Sequence, residues 1–345
     1  MTQTPHRILV TGATGAIGMQ FLRQMKDSNR LNEVVLLVRK SKKNQRKLRD
    51  IKGLNAVFYG DLNDHEVLKQ AVKGSTMVIH LAALIPTVEA ENVALVTKVN
   101  VDGTQNLVNA MESEAPNALL LFSSSIAIYG DRIKTPNIQV ADPLLGPEYD
   151  LYSKTKVAAE KIIQSSKLNW CIYRLSAIMG IGNHKISGIM FQVPLDTPME
   201  ITTVRDTANA LVKSIEKQSE ISGKIFNLGG GEKCRISYEQ FMTKAFDAYG
   251  MGAVNFPDRA FARQNFHCGY YTDGDDLENI LHFRTDTIET YFERFRNSIP
   301  TIQRWVTRPF AGIVKWFLTR LSKPLKAYKQ GDQEMIEFYF GDTLK

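Results

Sequence analysis

The sequence has little cysteine, and its three residues, Cys171, Cys234 and Cys268, lie far apart and outside any metal-ligand spacing. An odd count without a paired framework argues against a secreted disulfide scaffold and for reduced structural thiols. The six histidines form no cluster, so no metal centre is expected. The first ten residues, MTQTPHRILV, lack the long apolar run of a signal peptide, and a cytoplasmic protein is expected. Repeats and low-complexity tracts are missing too, and 345 residues with 43% hydrophobic content suffice for one large or two modest globular units. The most telling absence is local. From residue 299 to residue 330 there is no acidic side chain but seven basic ones, Arg304, Arg308, Lys315, Arg320, Lys323, Lys326 and Lys329. That run equals the whole net charge of +7, so the rest of the chain is close to neutral and no nucleic-acid partner is expected.

What the chain does contain begins with RILVTGATGAIGMQFLRQM, a β-branched run, three glycines and then a helical apolar pattern. A strand entering a helix through such a turn aims free N–H groups and the helix dipole at an anion. Gly12 permits the turn, Gly15 lets the backbone approach a pyrophosphate, and Gly18 lets helix and strand pack closely; Thr14, Ala16 and Ile17 complete the cofactor loop. A second strand, EVVLLV, follows at 33–38 and ends not in an acidic residue but in Arg39, 21 residues after Gly18. A carboxylate there would accept bonds from an adenosine ribose, whereas a guanidinium pairs with a 2′-phosphate, so NADP(H) is expected in preference to NAD(H).

Strand and helix periods then alternate. AVFYGDL at 56–62 reads as a third strand ending in Asp61, TMVIHLAA at 76–83 as a fourth, ALLLFSSS at 118–125 as a fifth and NWCIYRLS at 169–176 as a sixth. Asp61 and Leu62 are expected beside the adenine, and the small Ala82 and Ala83 under the cofactor. The alternation implies an α/β fold, a Rossmann-type doubly wound parallel sheet with ligands at the carboxyl ends of its strands. Further along, YDLYSKTKVAAEK sets Tyr152 and Lys156 one helical turn apart after a strand that ends in three serines. An isolated pair of this kind is either a proton relay or a solvated polar face.

The motifs TGATGAIG, GDL, HLAA, NVDGT, FSSSIAIYG, YSKTK and RLSAIMG, in this order, make the chain resemble an extended short-chain dehydrogenase/reductase. That family includes nucleotide-sugar epimerases, dehydratases and 3β-hydroxysteroid dehydrogenases, and the resemblance runs over about residues 7 to 284. It implies Tyr152 as the proton-transferring residue and Lys156 as its partner and a grip on the cofactor ribose. It also implies Ser125, four before the tyrosine of Tyr129–Gly130, as the residue that holds the substrate oxygen, with Ser124 as a second polar contact. Asn100 resembles the family's helix-interrupting asparagine. A free tyrosine, with a pKa of about 10, is a poor base near neutrality, and a neighbouring ammonium favours its phenolate.

Residues 1–178 and about 200–228 are thus expected to form an NADP-binding domain, with 179–199 and 229–295 as a smaller substrate-binding subdomain and 296–345 as a basic amphipathic tail. For the substrate, Arg235, Arg259 and Arg263 suit a diphosphate, while Ile186, Ile189, Met190, Phe191, Val193, Phe256, Phe261 and Phe266 lean towards an apolar molecule. In the tail, Phe310, Ile313, Val314, Phe317, Leu318 and Leu321 fall on one helical stripe flanked by cations, with Trp305 and Trp316 nearby. Such a helix lies in a membrane interface over residues 304–329, on the inner face, or docks on protein, including a second subunit of a homodimer. The leading expectation is an NADP(H)-dependent oxidoreductase interconverting a ketone and a secondary alcohol on a membrane-borne lipid, of steroid or 3-keto sphingoid or ceramide type. The alternatives are a nucleotide-sugar epimerase or dehydratase and a non-catalytic NADP(H)-sensing binding protein.

Overall fold

The structure, a computed structural model, describes residues 6–85, 92–144, 150–182 and 187–341. Its central sheet has seven strands: β1 (Ile8–Thr11), β2 (Val34–Val38), β3 (Ala56–Tyr59), β4 (Met77–His80), β5 (Leu119–Ser125), β6 (Asn169–Leu175) and β7 (Lys224–Leu228). Every neighbouring pair is parallel, in the spatial order β7-β6-β5-β4-β1-β2-β3. The strands read as unbroken apolar runs because helices cover both faces. Along β1, Ile8 and Val10 join the cluster of Phe21, Leu22 and Met25 from α1 (Ala16–Asp27), whereas Leu9 joins Leu107 and Met111 from α2 (Gly103–Glu114) on the other side.

Two expectations need correction. β3 stops at Tyr59, so Asp61 and Leu62 stand in the turn beyond it rather than in the strand, with the Asp61 carboxylate accepting from the Asn63 backbone and side chain. A seventh strand, KIFNL, extends the sheet beyond the six expected, pairing with β6 over Lys224 to Leu228. The strand order reverses between β1 and β4, and this opens a crevice at the carboxyl ends of those strands.

A smaller unit surrounds a three-stranded sheet of Ala177–Met179, Pro198–Thr203 and Arg235–Ser237, packed under the helices Tyr238–Tyr249 and Ile288–Ser298. The apolar residues expected to contact substrate mostly form this unit's core. The Phe191 ring sits 5.1 Å from Phe256 and 5.0 Å from Phe261, and Met190, Val193 and Phe266 belong to the same cluster. Ile189 is exposed, and Ile186 lies outside the described residues.

After α3 (Leu151–Gln164), whose place is described below, the chain ends in α4 (Thr301–Thr319), α5 (Lys323–Gln330) and α6 (Gln333–Phe340). The expected single stripe on α4 is split between two environments. Val314 and Leu318 pack on the smaller unit, whereas Phe310, Ile313, Phe317 and Leu321 face solvent. Apolar residues cover a wider arc of α4 than its narrow contact line uses. Among the described residues no helix is long and apolar enough to cross a membrane.

Candidate active site

The glycine turn does what its residue types allow. Gly12 has φ +72°, and a Cβ there would lie 2.6 Å from the backbone nitrogen of Ala82 at the end of β4. A Cβ on Gly18 would meet the Ala13 backbone at 2.5 Å, so α1 packs closely on the turn. Gly15 has only the Gly12 carbonyl near its open side, at 3.2 Å, and as N-cap of α1 it supplies no side-chain bond. The first-turn N–H groups of α1 are therefore left for an anion. Thr14, Ala16 and Ile17 line this rim, Gly15 and Ala16 being exposed. Ala82 and Ala83 flank the crevice, Ala82 donating its N–H to the Thr11 hydroxyl at 3.3 Å.

Arg39 follows β2 directly and is exposed. Its carbonyl accepts from Asn44 at 2.8 Å, which folds the basic loop back, and Lys47 reaches the Thr14 carbonyl at 2.6 Å. Two cations thus border the adenosine side of the turn. Lys47 escaped the sequence reading, since in RKSKKNQRKLR nothing singles it out until the fold brings it to the glycine loop. These residues fit a dinucleotide of NAD(P) type, with Gly12 to Gly18 at the place of its pyrophosphate.

The other half of the crevice is built by β5 and α3. Asp150 caps α3, accepting from the Ser153 N–H at 3.2 Å, and its carboxylate lies 3.4 Å from His267 of the smaller unit. Burial opposes ionisation of this carboxyl, but His267 and the Ser153 and Tyr152 backbone outweigh it and lower its pKa. On the first turns of α3, Tyr152 and Lys156 face the end of β5. The Lys156 Nζ donates to the Ser123 carbonyl at 2.5 Å and lies 4.5 Å from the Phe122 ring and 5.7 Å from the Tyr152 ring. Ser125 ends β5, accepting from the Ala127 N–H at 3.2 Å, and the neighbouring Ser124 hydroxyl is buried without a partner among the described residues.

The electrostatics follow from burial. Lys156 is almost completely buried, which lowers its pKa to about 7, with Glu160 one turn away acting in the opposite sense. Burial pushes Tyr152 up to about 12, opposed by the Ser125 hydroxyl and assisted by the Asp150 charge. Near neutral pH the phenol therefore carries its proton, the form a proton donor needs. Two further arrangements went unnoticed in the sequence. His80, buried at the end of β4, bridges Thr11 at 2.7 Å and Thr104 at 3.2 Å, and burial together with the Lys156 charge lowers its pKa to about 3. Behind α3, Arg174 on β6 pairs with Glu160 at 2.8 Å and bonds Tyr129 at 2.7 Å, and Tyr129 donates to Asn227 at 2.8 Å. Asn100 sits in a π-helical turn, Lys98–Asp102, where it bonds both polar backbone atoms of Leu84 and donates to Thr155 of α3 at 3.1 Å. The wider turn is how the helix is interrupted there.

A parallel sheet with a glycine turn at its switch point, and a serine, tyrosine and lysine at the same crevice, defines an extended short-chain dehydrogenase/reductase. The chain belongs to the NAD dependent epimerase/dehydratase family, whose model matches residues 8–229. It is 27% identical to a D-erythronate dehydrogenase of Cupriavidus necator over 257 residues, 65% of this chain and 76% of that protein. To a UDP-glucose 4-epimerase of Neisseria gonorrhoeae it is 32% identical over 202 residues, 55% of this chain and 58% of the epimerase, so that match spans little more than half of the relative. Among solved structures, a UDP-glucuronic acid 4-epimerase of Bacillus cereus, in complex with UDP-glucuronic acid and NAD, superposes with a TM-score of 0.68. It is 19% identical, and the overlap covers 85% of this chain and 99% of that one. A short-chain dehydrogenase/reductase superfamily protein of Agrobacterium tumefaciens with bound NAD gives a TM-score of 0.66 at 18% identity, covering 88% of this chain and 99% of that one.

Proposed function

We propose that this enzyme reversibly oxidises a secondary alcohol to a ketone on a polyhydroxylated, sugar-type substrate, a sugar acid or a nucleotide sugar, with NADP(H) preferred over NAD(H). The observation that carries the reaction is the meeting of Ser125, Tyr152 and Lys156 at the carboxyl end of β5. When bound, the nicotinamide accepts or supplies the hydride. Tyr152 gives a proton to the ketone oxygen or takes one from the alcohol, Ser125 holds that oxygen, and Lys156 positions the pair from the Ser123 carbonyl side. Exposed Arg39 and Lys47 at the Thr14 carbonyl support the 2′-phosphate preference.

The substrate class rests on the relatives, a dehydrogenase of D-erythronate and an epimerase of UDP-glucose. The apolar residues that favoured a lipid from the sequence are largely spent on the core of the smaller unit. Of the three arginines considered for a diphosphate, Arg235 pairs with buried Glu200 at 3.0 Å, Arg259 covers the Phe340 ring at 4.8 Å, and Arg263 lies 3.5 Å from Asp258. That favours a sugar acid over a nucleotide sugar within the class. A keto or hydroxy lipid is the second reading, favoured by the exposed apolar face of α4.

The test is a panel of four-carbon sugar acids, UDP-sugars and long-chain keto lipids in detergent, with each cofactor. Reduced nicotinamide is followed optically and sugar epimers by chromatography. Sugar-type turnover that Tyr152→Phe abolishes is expected. Turnover confined to the lipids would overturn the substrate class in favour of the second reading.

A further inference from the structure

The α4 helix presents to solvent an apolar surface that no part of the described chain covers. Ile302, Trp305, Val306, Ile313, Trp316 and Phe317 are each more than half exposed, from 54% at Trp316 to 74% at Ile302. At about 100° per residue these six fall on one side of the helix, with Val314 and Leu318 on the flank beyond Phe317 holding it to the smaller unit. Monomeric proteins rarely leave a contiguous apolar patch of this kind uncovered without a partner for it. The surrounding charge is of one sign: seven basic residues and no acidic one between 299 and 330. Arg308, Lys326 and Lys329 are exposed, while Arg320 folds back over the Trp316 ring at 3.6 Å.

We propose that α4 docks this enzyme on an anionic lipid bilayer, lying in the interface plane with its apolar arc among the acyl chains and its cations at the headgroups. The chemistry of the patch selects this occupant. A second copy seated face to face would bring like charges from each side to one seam with no acidic residue of the segment to neutralise them, whereas an anionic surface pairs with the exposed Arg308, Lys326 and Lys329. Two tryptophans at the rim suit the headgroup boundary, where an apolar ring body and an N–H donor are both satisfied. At about 1.5 Å per residue the 19-residue helix is roughly 28 Å long, enough to lie along the surface. The helix is fixed rather than tethered: Lys315 donates to the Ala253 carbonyl at 2.6 Å, and Ser322 just beyond it to the Ala260 carbonyl at 2.6 Å. Docking therefore presents the smaller unit, not the nucleotide-binding half, to the membrane. The proposal does not depend on the substrate class.

The full chain is sedimented with vesicles of phosphatidylcholine alone or mixed with phosphatidylglycerol, at low and high salt. Binding to the mixed vesicles, little binding to the neutral ones and release by salt are expected, because surface attraction is screened. Arg308→Gln/Lys326→Gln/Lys329→Gln should weaken binding about a hundredfold, each cation near an anionic surface being worth roughly fivefold. Ile302→Ser/Ile313→Ser/Phe317→Ser should abolish binding while leaving NADPH affinity unchanged, which shows that the fold is intact. Binding that ignores lipid charge, or that survives both triple variants, would overturn the proposal. So would a chain that sediments as a dimer without vesicles, ignores them, and becomes monomeric in the serine variant; the face would then belong to a second copy.

Discussion

Lys156 is the residue whose burial makes the most specific demand on the rest of the molecule. Burial lowers its pKa from 10.5 to about 7, and at about 1.36 kcal/mol per unit this sets roughly 5 kcal/mol against the charged form in the fold. Below about pH 7 the amine is protonated both folded and unfolded, and the whole penalty acts. Between about 7 and 10.5 the unfolded chain binds a proton that the folded one does not, so this group's share of stability rises with pH through that window. From about pH 6 to about pH 9 the relief amounts to roughly 2–3 kcal/mol. The groups facing the amine do not cancel it. His80, at about 3, stays neutral over the range, and Glu160 stays paired with Arg174 at 2.8 Å. Lys156→Met keeps the length of the side chain and removes the titration. With no nucleotide added, urea unfolding should find the variant more stable than the parent at about pH 6, and the gap should shrink by roughly 2–3 kcal/mol by about pH 9. A gap that does not change with pH would refute the idea that a buried, depressed amine stands at this position.

Tyr152→Phe keeps the ring and removes the proton, so kcat should fall by about 10²–10⁴ with NADPH affinity largely kept, measured by steady-state kinetics beside fluorescence titration. Arg39→Asp should reverse the preference for NADPH over NADH, and Lys47→Ala should narrow it; equal affinities in the unmodified enzyme would remove the 2′-phosphate assignment. Glu160→Ala should cost about 3–5 kcal/mol in urea unfolding, because it leaves the Arg174 guanidinium buried and unpaired. Glu160→Gln, which still accepts a bond, should cost less.

The glycine turn, the parallel sheet and the serine, tyrosine and lysine were legible because each is carried by a local pattern: glycines at fixed offsets, unbroken apolar strands, a tyrosine and a lysine one turn apart. What stayed hidden depends on distance along the chain. Arg174 and Glu160 are 14 residues apart, and Tyr129 and Asn227 98 apart, so neither pair leaves a mark in sequence. Phe191, Phe256 and Phe261 read equally well as pocket or core until their rings are seen against one another. On α4 the helical period was legible and the direction was not. The pattern placed Val314 beside Ile313 and Phe317 in one stripe, and only the neighbouring unit determines which edge of that stripe is used.

The tail and the candidate active site are joined by few bonds. Asn265 donates its backbone N–H to Asp131, which lies in the turn after Ser125, at 2.6 Å, and its side chain donates to the Phe338 carbonyl in α6 at 2.6 Å. Arg263 donates its backbone N–H to the Tyr339 carbonyl at 2.8 Å, and His267, two residues past Asn265, reaches the cap of α3 at Asp150. Residues 263–267 thus touch the last helix of the tail on one side and both the serine loop and the tyrosine helix on the other. Asn265 holds φ +67°, a conformation that asparagine tolerates better than most side chains, so the strap is shaped to make both contacts at once. Under the docking proposed above, fixing α4 would also fix the smaller unit on which it packs, and with it the strap that contacts Asp131 and the cap of the tyrosine helix at Asp150. Asn265→Gly with His267→Ala removes the side-chain links to Phe338 and Asp150 and leaves the backbone bond to Asp131, and should therefore lower kcat while leaving NADPH affinity alone, since the glycine turn and Arg39 make none of these contacts. A fall in NADPH affinity equal to the fall in kcat would show instead that the whole crevice had loosened.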